Sequence, residues 1–175
     1  MLKKILLAVL VVVLLFLGYV AMQPGHYQLS REIKINASAD KIFPYLNNSK
    51  LMQTWGPWHD MDPTVEMTMS GPSEGVGACT SWTSKGRMGV GKATITESAP
   101  NDHVTTLIEY TTPKMVQTSS MTLRVDGNGT IATWTVQGEK NFISKIMCTF
   151  VSMDKMVGPM FEKGLSNLKS QVEKN

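Results

Sequence analysis

The stretch Ser152–Lys174 constrains the fold most. Its apolar residues fall at Met153, Met156, Val157, Met160, Phe161, Leu165, Leu168 and Val172. This is i, i+3, i+4, i+7, i+8 spacing held for about five turns, the mark of a one-sided helix. The opposite face carries Asp154, Lys155, Glu162, Lys163, Asn167, Lys169, Ser170 and Glu173. Such a helix is roughly 30 Å long, enough to cross a small domain. Nearly everything between Gln28 and Gln137 reads as strand and turn, so the helix is expected to lie across a curved sheet. Any ligand is then held between the two. Gly164 falls on the apolar stripe, where it costs about 1 kcal/mol of helix propensity relative to Ala. It either admits a close neighbour or leaves space. Pro159 has no amide to bond back to residue 155, which predicts a kink or break.

The strands follow from alternation and turn residues. Tyr27–Asn36 alternates, with Tyr27, Leu29, Ile33 and Ile35 on one face. Ser38 is suited to cap a short helix over Ala39–Leu46, limited by Pro44, and Ser49–Trp55 suits a second. The segment from Trp55 to Pro63 reads as a turn-rich loop. Strands are expected at Thr64–Ser70, Gly77–Ser84, Val90–Ser98, His103–Thr111, Val116–Val125 and Thr130–Gln137. Asp126-Gly-Asn-Gly129 makes a hairpin turn before the last of them. Phe142–Phe150 suits a short apolar helix, at a cavity edge or against a membrane. Strands in succession, two early helices and a long final one predict an α+β antiparallel order.

The N-terminus stands apart. Ile5–Met22 contains no charge and follows Lys3-Lys4. Eighteen helical residues span about 27 Å, just enough for a bilayer core. A signal peptide and an uncleaved anchor both fit the length. Cleavage before Met22 would put the bulky Tyr19 where a small residue is required, which favours an anchor. No cysteine lies near the end of the run, so it is not a lipoprotein signal. Lys3 and Lys4 lie closest to the apolar run, and a long folded domain translocates largely regardless of its charge. The expected product is a single-pass membrane protein with its domain on the extracytoplasmic side. Residues 1–25 form the anchor and a short spacer, and residues 26–175 form one domain.

Net charge is +3, with basic residues scattered and no run longer than Lys3-Lys4. A nucleic-acid partner is therefore not expected. Two cysteines, Cys79 and Cys148, make neither a disulfide framework nor a zinc site. Thirteen methionines is a high count for 175 residues, and methionine fills irregular apolar space.

Taken together, several short patterns resemble one family. They are Trp55-x-Pro57-Trp58 with Asp62-Pro63, Gly75-Val-Gly77-Ala78, Gly89-x-Gly91, Thr96-Glu97-Ser98-x-Pro100 and Thr133-Trp134. Phe161-Glu-Lys-Gly164-Leu165-x-Asn167-Leu168-Lys169 completes the set. Their order over residues 27–172 resembles the polyketide cyclase/dehydrase-like branch of the START (SRPBCC) superfamily. The resemblance implies a helix-grip fold: a curved antiparallel sheet wrapped around a long C-terminal helix, with an apolar tunnel between them. It implies binding of lipids, sterols, polyketides or similar ligands. It carries over no catalytic residue, because the family has no universal catalytic motif.

Other chemistries fit less well. Gly86-Arg-Met-Gly-Val-Gly91-Lys92-Ala93 nearly spells a phosphate loop, but Ala93 stands where Ser or Thr would reach Mg²⁺. The following residues alternate as a strand, so this is a hairpin turn. His59, Asp60 and Asp62 are too few for a metal site and read as a surface loop. Neither a metal nor a cofactor is expected. Glu97, Glu109 and Arg124 lie in strands and would serve a ligand head or acid–base chemistry only if they pointed inward.

The leading expectation is a membrane-anchored binding protein for a hydrophobic small molecule, a lipid or polyketide-like compound. The candidate ligand-binding residues are Trp55, Trp58, Trp82, Trp134, Met156, Met160 and Gly164, each of which would otherwise pack in the core. Two alternatives stay open. One is a cyclase or hydrolase of an aromatic or polyketide-like substrate; the other is a protein-interaction module at the membrane.

Overall fold

A computed structural model describes residues 1–112, 114–150 and 152–174. The elements run α1 Leu2–Met22, β1 His26–Ile35, α2 Ala39–Asn47, α3 Ser49–Trp55 and α4 Trp58–Met61. Then come β2 Glu66–Ser70, β3 Cys79–Thr83, β4 Val90–Ala99, β5 His103–Thr112, β6 Lys114–Asp126 and β7 Gly129–Glu139. Helices α5 Phe142–Phe150 and α6 Met153–Lys174 close the chain.

The seven strands form one antiparallel sheet in the order β1-β7-β6-β5-β4-β3-β2. β1 and β2 thus lie at opposite edges, and α2, α3 and α4 carry the chain from one to the other. The register follows side-chain alternation. On β7, Thr130, Ala132, Trp134 and Val136 are buried on one face. β4 carries an irregularity between Ile95 and Glu97, and such bulges bend a strand and add twist. Gly127 takes positive φ in the β6–β7 hairpin, as the Asp126–Gly129 turn requires.

Helix α6 lies across β1 and β7 and touches α2 and α3. It buries Phe161, Leu165, Leu168 and Val172 against Leu29, Ile35, Ile42, Leu46, Trp55 and Trp134. At about 25 cal/mol per Å² of apolar surface, this seam is the main force holding helix to sheet. Arg31 of β1 adds a clamp. Its Nη2 donates to Asp154 at 2.6 Å and its Nε to Glu162 at 2.9 Å. Those carboxylates stand one turn either side of Gly158, whose missing side chain gives the guanidinium its place.

Some expectations are corrected here. Of the kink or break expected at Pro159, the break does not occur: α6 is continuous from Met153 to Lys174. Pro159 and Lys155 both lie on the exposed face, where a carbonyl left without its amide meets solvent rather than the core. Ser38 makes no side-chain cap; only its carbonyl accepts, from the Lys41 amide at 3.1 Å. Asn48 is the residue that caps, its Oδ1 accepting from the Lys50 and Leu51 amides of α3. Pro44 lies inside α2. The expected loop after Trp55 contains the single turn α4.

Helix α1 is long and apolar enough to cross a membrane and lies almost entirely exposed. It does not project freely. Phe16 meets Phe150 of α5, ring centroids 6.0 Å apart, and Lys145 Nζ donates to the Ala21 carbonyl at 3.4 Å. The Lys140 amide donates to the Gly25 carbonyl at 2.6 Å.

Candidate functional site

The sheet and α6 enclose a cavity of about 220 Å³. Four strands line it with i, i+2 pairs, as period-two side chains on one face must. These are Tyr27 and Leu29 on β1, Ile108 and Tyr110 on β5, Met115 and Gln117 on β6, and Trp134 and Val136 on β7. Met153, Val157, Met160 and Phe161 close it from α6, and Trp58 and Met61 from α4. Arg87 and Met88 reach it from the β3–β4 hairpin. A second space of about 70 Å³ lies beyond Trp58, Met88, Ile108 and Tyr110, which border both. The two spaces are lobes divided by these four side chains.

One chain of polar groups crosses the apolar wall. Tyr27 Oη donates to Gln117 Oε1 at 2.7 Å, and Gln117 Nε2 donates to Tyr110 Oη at 3.4 Å. Burial pushes both phenols above their ordinary pKa, with the neighbouring Tyr110 adding to the effect on Tyr27. Both remain neutral at physiological pH. Tyr110 accepts from Gln117, so its own O–H is left to donate into the cavity. In the smaller lobe Gln53 Nε2 is buried without a hydrogen-bond partner, a group that costs about 1–3 kcal/mol when left unmet.

Asp62 positions the hairpin that carries Arg87 and Met88. It is 3% exposed, which corrects its reading as part of a surface loop. Its carboxylate accepts from Ser84 Oγ, from Thr64 Oγ1 at 2.6 Å and from the Met88 amide at 3.2 Å. The Ser84 and Thr64 hydroxyls, in that order, hold it well below the usual carboxylate range. A Cβ on Gly86 would collide with this carboxylate. Trp82 Nε1 donates to the Met88 carbonyl at 3.2 Å, so the Met88 backbone is held at both its amide and its carbonyl. The glycine-rich segment is thus a hairpin connection.

The structure gathers some of the seven candidate residues at the cavity and leaves others outside. Trp58, Trp134 and Met160 border the larger lobe, and Trp58 and Trp82 the smaller. Trp55 is core: it is buried, its Nε1 donates to the Tyr45 carbonyl, and its ring meets Trp134 edge-on at 5.6 Å. Gly164 is also core, pressed by Trp134 and Pro57, and leaves no open space. Met156 is 49% exposed and off the wall, because it lies about 140° round the helix from Phe161. Tyr27, Tyr110, Gln117 and Met88 were not singled out. The alternation that puts Tyr27 on one strand face with Leu29 is a signal for Tyr27 alone; Tyr110 and Gln117 lie on other strands.

Glu97 and Arg124 are exposed, and Glu109 pairs with Lys92 at 2.9 Å on the outer face. None borders the cavity. Cys79 and Cys148 are both free. Among the described residues, no cluster of His, Cys, Asp and Glu is arranged to hold a metal ion.

No curated protein matches the sequence. Solved structures match the fold. The Aha1 dimer from Colwellia psychrerythraea superposes with a TM-score of 0.61 at 19% identity, covering 84% of this chain and 96% of that one. A protein from Rhizobium leguminosarum gives 0.61 at 14% identity, covering 86% and 96%. Ginseng major latex-like protein 151 from Panax ginseng gives 0.59 at 12% identity, covering 85% and 98%. The neighbours share the sheet gripping a C-terminal helix found here. The sequence profile of one family, polyketide cyclase / dehydrase and lipid transport, matches residues 26–173. The chain belongs to that family.

Proposed function

We propose that this protein binds a hydrophobic small molecule, a lipid or polyketide-like compound, in the two-lobed cavity, and that α1 holds it in a membrane. The observation that carries the reading is the apolar cavity crossed by the Tyr27–Gln117–Tyr110 chain. Apolar walls supply affinity, and a few placed polar groups orient the ligand. The Tyr110 hydroxyl donates to a carbonyl or hydroxyl oxygen of the ligand. The larger lobe, about 220 Å³, is below the roughly 300–1,000 Å³ of ordinary ligand pockets. A ligand of ordinary size joins the lobes by displacing Met88, the unbranched and most adaptable of the four dividing side chains. Gln53 then gains the partner it lacks.

The anchor reading rests on the length of α1, its poor cleavage site and its contacts with α5. The domain faces away from the cytoplasm, since Lys3 and Lys4 hold the N-terminus inside. Protease protection in intact cells tests this: the domain is cleaved from outside if the orientation is right and protected if it is not.

The binding test uses residues 26–175, which include the whole matched domain. The protein is purified without detergent, weighed by native mass spectrometry, then extracted with organic solvent. A bound apolar mass is expected. An empty protein that gains no thermal stability from a panel of lipids would overturn the reading.

A further inference from the structure

The apolar stripe of α5 is left exposed by the described residues of the domain. Ile143, Met147 and Phe150 stand at i, i+4 and i+7 and are 69%, 53% and 74% exposed. What lies beside them is α1. Phe150 meets Phe16, and Lys145 caps the C-terminal end of α1 through the Ala21 carbonyl. Phe16 is six residues from the end of α1, or about 9 Å along its axis. An interfacial helix sinks its apolar face about 5–10 Å into the boundary between headgroups and acyl chains. A bilayer crossed by α1 therefore meets the stripe of α5 at that depth.

The same helix borders the way into the cavity. A surface cleft of about 360 Å³ has the charged Lys140 and Asp154 in its lining, together with Cys148 of α5 and, deeper, Tyr27, Leu29 and Met153. The last three also line the inner cavity. One set of side chains therefore separates the ligand space from a cleft beside the bilayer surface.

We infer that α5 is seated in the bilayer that α1 crosses, and that the cavity takes up its ligand, a membrane-resident amphiphile, through the cleft between α5 and β1. The inference rests on reading α1 as an uncleaved span. Lipid is the occupant of the α5 stripe because the stripe continues the apolar surface of α1 and carries no charged residue.

The full chain tests it, carrying Cys79→Ala and Cys148→Ala and reconstituted in vesicles of phosphatidylethanolamine and phosphatidylglycerol. Single nitroxide labels go on Ile143→Cys, Phe150→Cys, Leu10→Cys in α1 and Val125→Cys at the far hairpin. Collision with oxygen reports lipid, and collision with a water-soluble nickel chelate reports solvent. Ile143 and Phe150 are expected to favour oxygen, as Leu10 does, while Val125 favours the chelate. Oxygen at Leu10 with chelate at Ile143 and Phe150 would overturn the seating of α5 and leave the anchor standing. Chelate at Leu10 as well would overturn the anchor itself. Labels at Ile143 and Phe150 shielded from both reagents would show a protein partner on the stripe and overturn the lipid assignment. Binding by residues 26–175 is measured separately, so loss of this inference and loss of the cavity reading remain distinguishable.

Discussion

The ring of Trp134 lies so close over Gly164 that a Cβ there would stand 2.8 Å from Cζ3 of the tryptophan. Trp134 is held from several sides. It stacks on Phe161 at 4.4 Å, meets Trp55 and Trp58 edge-on at 5.6 and 6.0 Å, and donates from Nε1 to Ser119 Oγ at 2.9 Å. One glycine in α6 thus sets the distance between helix and sheet at the centre of the core.

A comparison of two glycines in the same helix tests this. Ala for Gly gains about 1 kcal/mol of helix propensity at either position. At Gly158 the obstruction is the end of the flexible Arg31 side chain, 2.5 Å from the built Cβ, which swings aside. Gly158→Ala is expected to leave stability unchanged or slightly raised. At Gly164 the obstruction is a locked indole, and overpacking costs about 1–3 kcal/mol. Gly164→Ala is expected to lose up to about 2 kcal/mol net. Chemical denaturation of both variants decides it, and a Gly164→Ala protein as stable as the Gly158→Ala protein would refute the close packing.

Asp62 gives an acid-side prediction. Its native pKa is depressed by the Ser84 and Thr64 hydroxyls. It therefore stabilises the fold fully above its unfolded value of about 4, and that stabilisation is lost as pH falls toward the native value. Asp62→Asn turns an NH₂ group toward donors at Ser84, Thr64 or Met88. Its melting temperature is expected to fall at neutral pH, and to change less than the parent's on acidification. Ligand affinity should fall with it, because Met88 and Arg87 lose their support. A variant that binds normally would show that the clamp does not shape the cavity.

The α6 stripe, the alternation of β1 and the Asp126–Gly129 turn fixed most of the architecture, because each is a local pattern with one stable outcome. Residues that depend on distant partners were less legible. Asp62 followed His59 and Asp60 in a polar run, and only the return of the β3–β4 hairpin buries it. Met156 belonged to an apolar pattern on paper. The buried stripe instead centres on Gly158, Phe161 and Gly164, where the lack of side chains on the glycines allows close approach. Tyr110 and Gln117 come together through strand register, which single strands do not reveal.

His103 predicts the opposite slope to Asp62. Asp102 accepts at 2.9 Å and Glu97 lies at 3.3 Å. These partners raise the imidazole pKa, Asp102 more than Glu97. The contribution is fully present below the unfolded value of about 6.5 and is lost as pH rises through the higher native value. Melting temperatures taken from about pH 6 to about pH 9 should decline in the parent and decline less in His103→Gln. Equal slopes in the two proteins would show that the ion pairs contribute nothing.

Filling the cavity separates binding from folding. Trp134→Ala would weaken any ligand, but it would also cost about 3–5 kcal/mol as a core truncation. Ile108 is the better probe: it is half-buried and borders both lobes. Ile108→Trp directs the added rings into existing space, so a small change in stability is expected. Affinity for the extracted ligand should fall at least about tenfold, or about 1.4 kcal/mol. Tyr110→Phe nearly keeps the volume and removes the hydroxyl, and with it the acceptor of the Gln117 Nε2 bond. It should weaken an oxygen-bearing ligand by about 0.5–1.5 kcal/mol and leave a pure hydrocarbon unaffected. Calorimetric titration of both variants reads these changes. Unaltered affinity in Ile108→Trp, with the fold intact, would place the ligand outside this cavity, whatever Tyr110→Phe did.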